Sequence, residues 1–470
     1  MNNKYKALLK DLFYFAISSF IPKAISFFLV RLYTNCLTTS EYGIADLLST
    51  TVTLAVPFFT LDINDSLLRF TIENKENKEP LIISLEIYLK GILFVSLITL
   101  LIWFSGIIKA DSLLFVLFLI NYSFTALYGI GIAYLRATDR VKLLSVVSIL
   151  TTLVTVLSNI LFLVVLSKGL YGYLISGILG FVVADLVMGV CIFKKDLLKV
   201  KIKDKNQKRK KMLTYCMPLI ASNVAWWVNS SSDRYIVTAI SGIEENGIYS
   251  VAYKIPTILQ MFQSVFSQAW LLSIYREYNT EHGKQYISEV FDYYFVGMSI
   301  MCALLIILDI PLASYLYAKD FYVAWKFVPF LLISVVFIAM DGFFGSMLQL
   351  LKKTKLIAST TTIGAIVNIV LNFLLIPKYG GLGAAFATMC GYLVMWIMTI
   401  KPVLNDYNFY INWKKVIIMI LLLIAESLCL IISENIIGCL IIFVLICVIN
   451  LKTIYAIINK VIGMIKTKMS

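Results

Sequence analysis

Charge is scarce in this chain. Of its 470 residues only 14% are charged, whereas 60% are apolar. A water-soluble domain carries about 25% charge, so an ordinary soluble enzyme or binding module is excluded. Histidine is nearly absent. The single one, His282, lies in a polar stretch, leaving no material for a His-based metal centre or catalytic triad. The eight cysteines (Cys36, Cys191, Cys216, Cys302, Cys390, Cys429, Cys439 and Cys447) show no C-x-x-C spacing. Most lie in apolar runs, where a thiol behaves as a small hydrophobe, so neither a disulfide framework nor a metal site is expected. Long polar segments are missing too. With small loops and no nucleophile–base constellation, no catalytic domain, enzymatic activity or cofactor is expected.

What is present is apolar sequence in helix-length runs. About 20 residues cross the hydrocarbon as a helix, and the chain holds about fourteen such runs. They fall near 11–32, 43–63, 81–103, 112–134, 143–166, 171–193, 212–238, 247–271, 287–310, 325–349, 356–376, 382–404, 416–433 and 436–457. The expected fold class is therefore an all-α membrane protein. The first run is long and lacks an A-x-A site, so it reads as a span rather than a cleaved signal. The net charge of +14 is placed unevenly. About three quarters of the Lys and Arg fall in the two tails and alternate loops, the positive-inside bias of a multi-pass protein. The even count and basic tails put both termini in the cytoplasm, with the chain in the cytoplasmic (inner) membrane. The densest stretch, K-K-D-L-L-K-V-K-I-K-D-K-N-Q-K-R-K-K at 194–211, is a topology anchor and a contact for anionic membrane lipids. Nucleic acid is not expected as a partner.

The chain also repeats. Arg31 precedes Gly43 as Arg234 precedes Gly247. Arg69 closes the second helix of one half as Arg276 does in the other. A helix with Asn159 leads to G-L-Y-G at 169–172, and one with Asn372 leads to G-G-L-G at 380–383. The offset is about 204 to 213 residues throughout. Each copy has six helices, so both enter the membrane with the same polarity, as in transporters built from parallel repeats. The expected organisation is an N-lobe at 1–200, a basic linker at 201–211, a C-lobe at 212–410, and two appended helices with a basic tail at 411–470.

These motifs carry a resemblance. E-Y-G follows the first helix. A helix with an early proline, Pro218, ends in Asp233-Arg234. G-I-Y-S-V-A-Y-K begins at Gly247, and G-G-L-G-A-A-F-A-T at Gly380. Their order and spacing resemble the polysaccharide flippase (Wzx-type) branch of the multidrug/oligosaccharidyl-lipid/polysaccharide exporter superfamily, over nearly the whole chain. The resemblance implies transfer of an undecaprenyl-diphosphate-linked oligosaccharide, of the O-antigen or capsule type, between leaflets by alternating access. It leaves as alternatives a lipid-linked peptidoglycan precursor and, on the same fold, ion-coupled export of multiple drugs or organic cations. Other polysaccharide-assembly membrane proteins are candidate partners.

Charges inside apolar runs are costly, about 2.5–3.5 kcal/mol each at a helix centre, so they should face a wet cleft or a partner. Lys23 lies beside Pro22, roughly 18 Å along the first helix, too deep to snorkel. Arg31 follows eight residues on, about 80° around the helix, so both can face the same cleft. Lys23, Arg31, Arg234 and Lys254 are the candidates to bind a diphosphate, because arginine offers a planar donor fork and lysine a compact cation. Arg69 is a candidate guide at the cytoplasmic mouth. Asp233 is expected to position an arginine, and Asp62 to pair with a cation such as Lys23. Asp185, Asp309, Asp341 and Glu426 are isolated acids that can take H+ or Na+ in an ion-coupled cycle. Glu86 and Lys90, one helical turn apart, are expected to pair. Trp226 and Trp227 can stack on sugar rings, though aromatics in membranes more often pack or belt the interface.

Overall fold

The computed structural model describes residues 24–107, 110–192, 204–278 and 280–469, with side chains except at 221, 222, 272 and 461–469. Lys23 lies outside these residues, as does most of the first expected span. Among the described residues the chain is helical throughout, with no strand, which bears out the all-α membrane class.

The helices are α1 (Val30–Cys36), α2 (Thr39–Phe59), α3 (Ile63–Glu73), α4 (Glu79–Ser105), α5 (Ser112–Ala137), α6 (Val141–Asn159), α7 (Gly169–Ile192), α8 (Lys205–Ser241), α9 (Ile243–Ala252), α10 (Pro256–Glu277), α11 (Gly283–Ile307), α12 (Asp309–Leu316), α13 (Val328–Leu350), α14 (Thr354–Asp406), α15 (Trp413–Ser433), α16 (Ile436–Ile449) and α17 (Leu451–Met469). Among the described residues, nine helices are long and apolar enough to cross a membrane. A tenth span arises if α16 and the start of α17, bent by 67°, count as one. One of the nine, α14, is 53 residues long and breaks at Gly380 (φ 54°, ψ −135°). It therefore carries both runs expected at 356–376 and 382–404.

The remaining expected spans are polar or broken. Helix α8 opens on K-N-Q-K-R-K-K and later reads S-S-S-D-R, so its mean hydropathy stays low although it has ample length. The run at 247–271 is interrupted between α9 and α10, at Tyr253–Ile255. The run at 43–63 ends in a sharp bend where Leu61 and Asp62 both take positive φ (54° and 51°). Pro57 prepares that bend. Its carbonyl accepts a bond from the Asp62 N–H at 2.8 Å, a longer reach than the regular helical register.

The chain forms two compact units, Met1–Val228 and Asn229–Ser470, whose boundary falls inside α8. In the first unit Ile63, Leu67, Leu81, Ala126, Leu144, Val147, Met188 and Cys216 make the main core. In the second, α13 is the centre: 78% of its most apolar window is buried. Around it Phe291, Phe295, Phe337 and Trp396 are fully enclosed, and Trp270 stacks on Phe343 with centroids 4.2 Å apart. On α4, by contrast, Leu93, Phe94, Leu97 and Leu101 are exposed, the face such a helix offers to lipid.

Candidate functional site

The densest polar arrangement of the second unit centres on Asp233, 2% exposed on α8. Its Oδ2 accepts hydrogen bonds from the Tyr249 hydroxyl (2.5 Å), the Tyr253 hydroxyl (2.9 Å) and the Thr388 hydroxyl (3.3 Å). Its Oδ1 accepts from the Arg234 backbone N–H at 3.0 Å. The local folding explains the convergence. Tyr249 and Tyr253 are one helical turn apart and share a face, and Thr388 follows the Gly380 break in α14. From before that break Asn368 donates to the Thr388 hydroxyl at 3.2 Å, and Asn372 donates to Asn368 Oδ1 at 3.0 Å. A buried carboxylate is tolerated when charge-assisted donors surround it in this way.

Two of the candidate cations border this network. The guanidinium of Arg234 lies 5.2 Å from the centroid of the Tyr253 ring, a cation–π contact. Because Tyr253 also donates to Asp233, one ring contacts both the carboxylate and the guanidinium. Lys254 follows Tyr253 directly in the turn that separates α9 from α10. It is half-buried, and its N–H donates to the Val251 carbonyl at 2.9 Å.

The candidates of the first unit are more scattered. Arg31, on α1, has an exposed side chain, and its carbonyl accepts from Asn35 at 2.9 Å. Asp62 is buried in the bend after α2. Its Oδ2 accepts from Asn223 Nδ2 at 2.8 Å and its carbonyl from the Cys216 thiol at 3.2 Å, so it ties that bend to α8. Arg69 is exposed, 3.9 Å from Glu73 and 4.7 Å from the centroid of the Tyr215 ring. Trp227 donates its indole N–H to the Thr50 carbonyl at 3.1 Å, whereas Trp226 is exposed. Glu86 bonds Lys205 of α8 rather than its expected helical neighbour Lys90. Lys208 of α8 adds a second pair, with Glu79, at 2.6 Å. Among the isolated acids, Asp341 accepts from the Thr399 hydroxyl at 2.7 Å.

Sequence reasoning missed the hydroxyl donors Tyr249, Tyr253 and Thr388. The spacing of four in G-I-Y-S-V-A-Y-K was the available signal for the two tyrosines. It also missed a pair of glutamates. Thr38 and Glu41 form a reciprocal capping box at the start of α2, and the Glu41 Oε1 accepts from the Leu170 N–H at 3.2 Å. Glu245, in the first turn of α9, accepts from the Gly381 N–H at 2.8 Å. In each case a glycine with positive φ, Gly169 (51°) or Gly380 (54°), precedes the donor. A Cβ on Gly169 would come within 2.6 Å of Glu41 Oε1, and one on Gly380 within 2.7 Å of Glu245 Oε1, so the close approach needs glycine.

Known proteins share this build. An uncharacterised membrane protein of Methanocaldococcus jannaschii, MJ1375, is 25% identical over 419 residues, which are 85% of this chain and 98% of that protein. A second one from the same organism, MJ1068, is 26% identical over 114 residues; that match spans 24% of this chain and only 22% of the relative. Among solved structures, the lipid II flippase MurJ in an inward closed conformation superposes with a TM-score of 0.69 at 16% identity, covering 95% of this chain and 99% of that one. An inward-facing multidrug resistance MATE family transporter of the MOP superfamily gives 0.64 at 13% identity, covering 83% and 99%. At such identities these likenesses establish the fold alone. The sequence profile described as "Polysaccharide biosynthesis protein" matches residues 8–271, more than half of the chain, and the chain belongs to that family.

Proposed function

We propose that this protein is a Wzx-type flippase of the cytoplasmic membrane, carrying an undecaprenyl-diphosphate-linked oligosaccharide repeat unit of the O-antigen or capsule type from the inner to the outer leaflet. The observation that carries the reading is the match of residues 8–271 to the polysaccharide biosynthesis family. The fold shared with a lipid II flippase supports it. In this reading the lobes 1–200 and 212–410 alternate access to one site, and both termini stay in the cytoplasm. Lys23, Arg31, Arg234 and Lys254 bind the diphosphate, and Arg69 guides it in. Asp233 acts through Tyr253 to keep Arg234 in place, and Asp62 fixes the bend after α2. H+ or Na+ drives the cycle, with the buried carboxylates as its stations.

The chemistry suits the cargo. A diphosphate cannot enter hydrocarbon without replacing its hydration, and fixed guanidinium and ammonium donors supply that replacement. Export of organic cations would require the opposite sign of charge. A peptidoglycan-precursor flippase is the second reading, favoured by the likeness to MurJ, because the cargo shares the lipid diphosphate. Single replacement of Lys23, Arg31 or Arg234 by Ala should lower surface polysaccharide at least about tenfold, the effect of about 1.4 kcal/mol or more lost from the site, at unchanged membrane abundance. Normal polysaccharide in all three variants would remove the site. Deletion separates the cargoes: loss of a surface glycan alone supports the first reading, and loss of viability supports the second.

A further inference from the structure

The C-terminal helix α17 presents a surface that none of the roles above uses. From Leu451 to Ser470 the sequence holds four lysines, Lys452, Lys460, Lys466 and Lys468, and no acid. The helix does not continue the line of α16: the two are bent by 67°. Buried Asn450 forms the hinge. Its amide donates to the Ile446 carbonyl at 2.7 Å and lies 3.0 Å from the Met419 Sδ. Met419 is six residues, about 9 Å, from Trp413 at the start of α15. Trp413 and the neighbouring Tyr410 are exposed, as aromatics are at the headgroup level of a membrane. The bend therefore falls at the depth where a surface helix lays its apolar side, about 5–10 Å below the headgroups.

One side of α17 is pinned to α11. The Thr453 hydroxyl donates to Asp292 Oδ2 at 2.9 Å. Lys415 of α15 joins both, at 2.6 Å to Asp292 and 2.9 Å to Thr453. Two turns on, Lys460 pairs with Glu289 at 2.9 Å and lies 4.6 Å from the centroid of the Tyr293 ring. Contacts spread over two turns of α17 thus fall within about one turn of α11, so α17 crosses α11 instead of running along it. The opposite side is bare. Leu451, Tyr455 and Ile458 recur at i, i+4 and i+7, share a face and are exposed. They extend the exposed apolar face of α16, where Ile441, Val444, Leu445 and Val448 lie. Roughly 90° around the helix from that stripe, Lys452 and Asn459 are exposed.

We propose that α17 is a membrane-surface helix that docks on anionic phospholipid. Leu451, Tyr455 and Ile458 enter the boundary of the acyl chains, continuing what α16 presents to them, and the lysines meet the headgroup phosphates. A basic helix without acids favours an anionic headgroup over a zwitterionic one, by a factor of about five for each lysine at the surface. The contacts on α11 fix which side faces the lipid. None of the residues given to the diphosphate takes part, so failure of this proposal leaves the flippase reading intact.

Brominated lipids, which quench a neighbouring indole, test the idea on the full-length protein in phosphatidylcholine vesicles. Leu451→Trp and Ile458→Trp each add a fluorophore, read as the increment over the wild-type signal. Both are expected to be quenched alike by lipid brominated high on the acyl chain, because a helix lying in the interface keeps its apolar residues at one depth. An unquenched Ile458→Trp would overturn the proposal: the stripe would then face water or a second copy of the chain, or α17 would carry on out of the membrane. The same reporter reads the headgroup preference. Brominated phosphatidylglycerol should quench Ile458→Trp at a bilayer fraction at least about fivefold lower than brominated phosphatidylcholine, and Lys452→Gln, Lys466→Gln and Lys468→Gln together should abolish the difference. Equal fractions for the two lipids with the native lysines in place would overturn the proposal, whether or not the lysine variant can be reconstituted. So would a difference that survives the three replacements.

Discussion

The two units build the same corner and furnish it differently. In each, a glutamate in the first turn of a helix reaches across to a backbone N–H just after a glycine of positive φ: Glu41 to Leu170, and Glu245 to Gly381. Near that corner the first unit places a neutral pair, with Asn159 donating to the Tyr33 hydroxyl at 3.1 Å and Tyr33 packed edge-on against Tyr173. The second unit places Asn372 at the position that corresponds in sequence order, but its network ends on the buried carboxyl group of Asp233. A scaffold contact present in both copies therefore coexists with interiors of different polarity. The glutamate clamp sets where helices meet, and the residues one turn deeper decide what the interior can bind.

The comparison can be broken most forcefully at Asp233. Asp233→Ala strands three buried or half-buried hydroxyls at once and should lower the stability of the detergent-solubilised protein by about 3 kcal/mol. Tyr33→Phe, which removes one neutral bond in the first unit, should cost about 1 kcal/mol. Thermal unfolding of the two variants measures the contrast, and equal losses would show that the convergent carboxyl group adds nothing beyond a single neutral bond. Next come the clamps. Glu41→Ala and Glu245→Ala should each cost about 1–3 kcal/mol, and by similar amounts if the corners are equivalent. A silent variant at one corner would show that the likeness is only geometrical.

The smallest effect is a pH dependence. Lys208 donates to Glu79, which holds the Glu79 carboxyl below its usual value. A group lowered in the folded state contributes stability that is fully present above the unfolded carboxylate value of about 4.3 and is lost as pH falls through the lowered one. Glu79→Gln should flatten that acid limb of the unfolding midpoint and leave neutral pH nearly unchanged.

Much of this was legible in the chain. Helix-length apolar runs and scarce charge specify an all-helical membrane fold without reference to any contact. Asn159, Asn372 and the glycines at 169–172 and 380–383 stood out by their matched order, and the glutamate contacts fall beside two of those glycines. The site itself was less legible. Asp233 was visible as a charge, but its donors come from α8, α9 and the far half of α14, and a hydroxyl in an apolar helix looks like packing until a partner is placed beside it. The bend at Leu61–Asp62 was hidden because neither residue is a glycine. The α9–α10 break was hidden because the apolar run continues across it.

The glutamate clamps also say something about how such a chain is made. Glu41 and Leu170 lie 129 residues apart, and Glu245 and Gly381 lie 136 apart. During synthesis each glutamate reaches the membrane long before its partner exists. Neither clamp can close until the backbone N–H that it needs, at Leu170 or Gly381, has been delivered. Closure of each corner therefore follows synthesis of the later helix, and the two contacts are non-local ones, the kind that form late in folding.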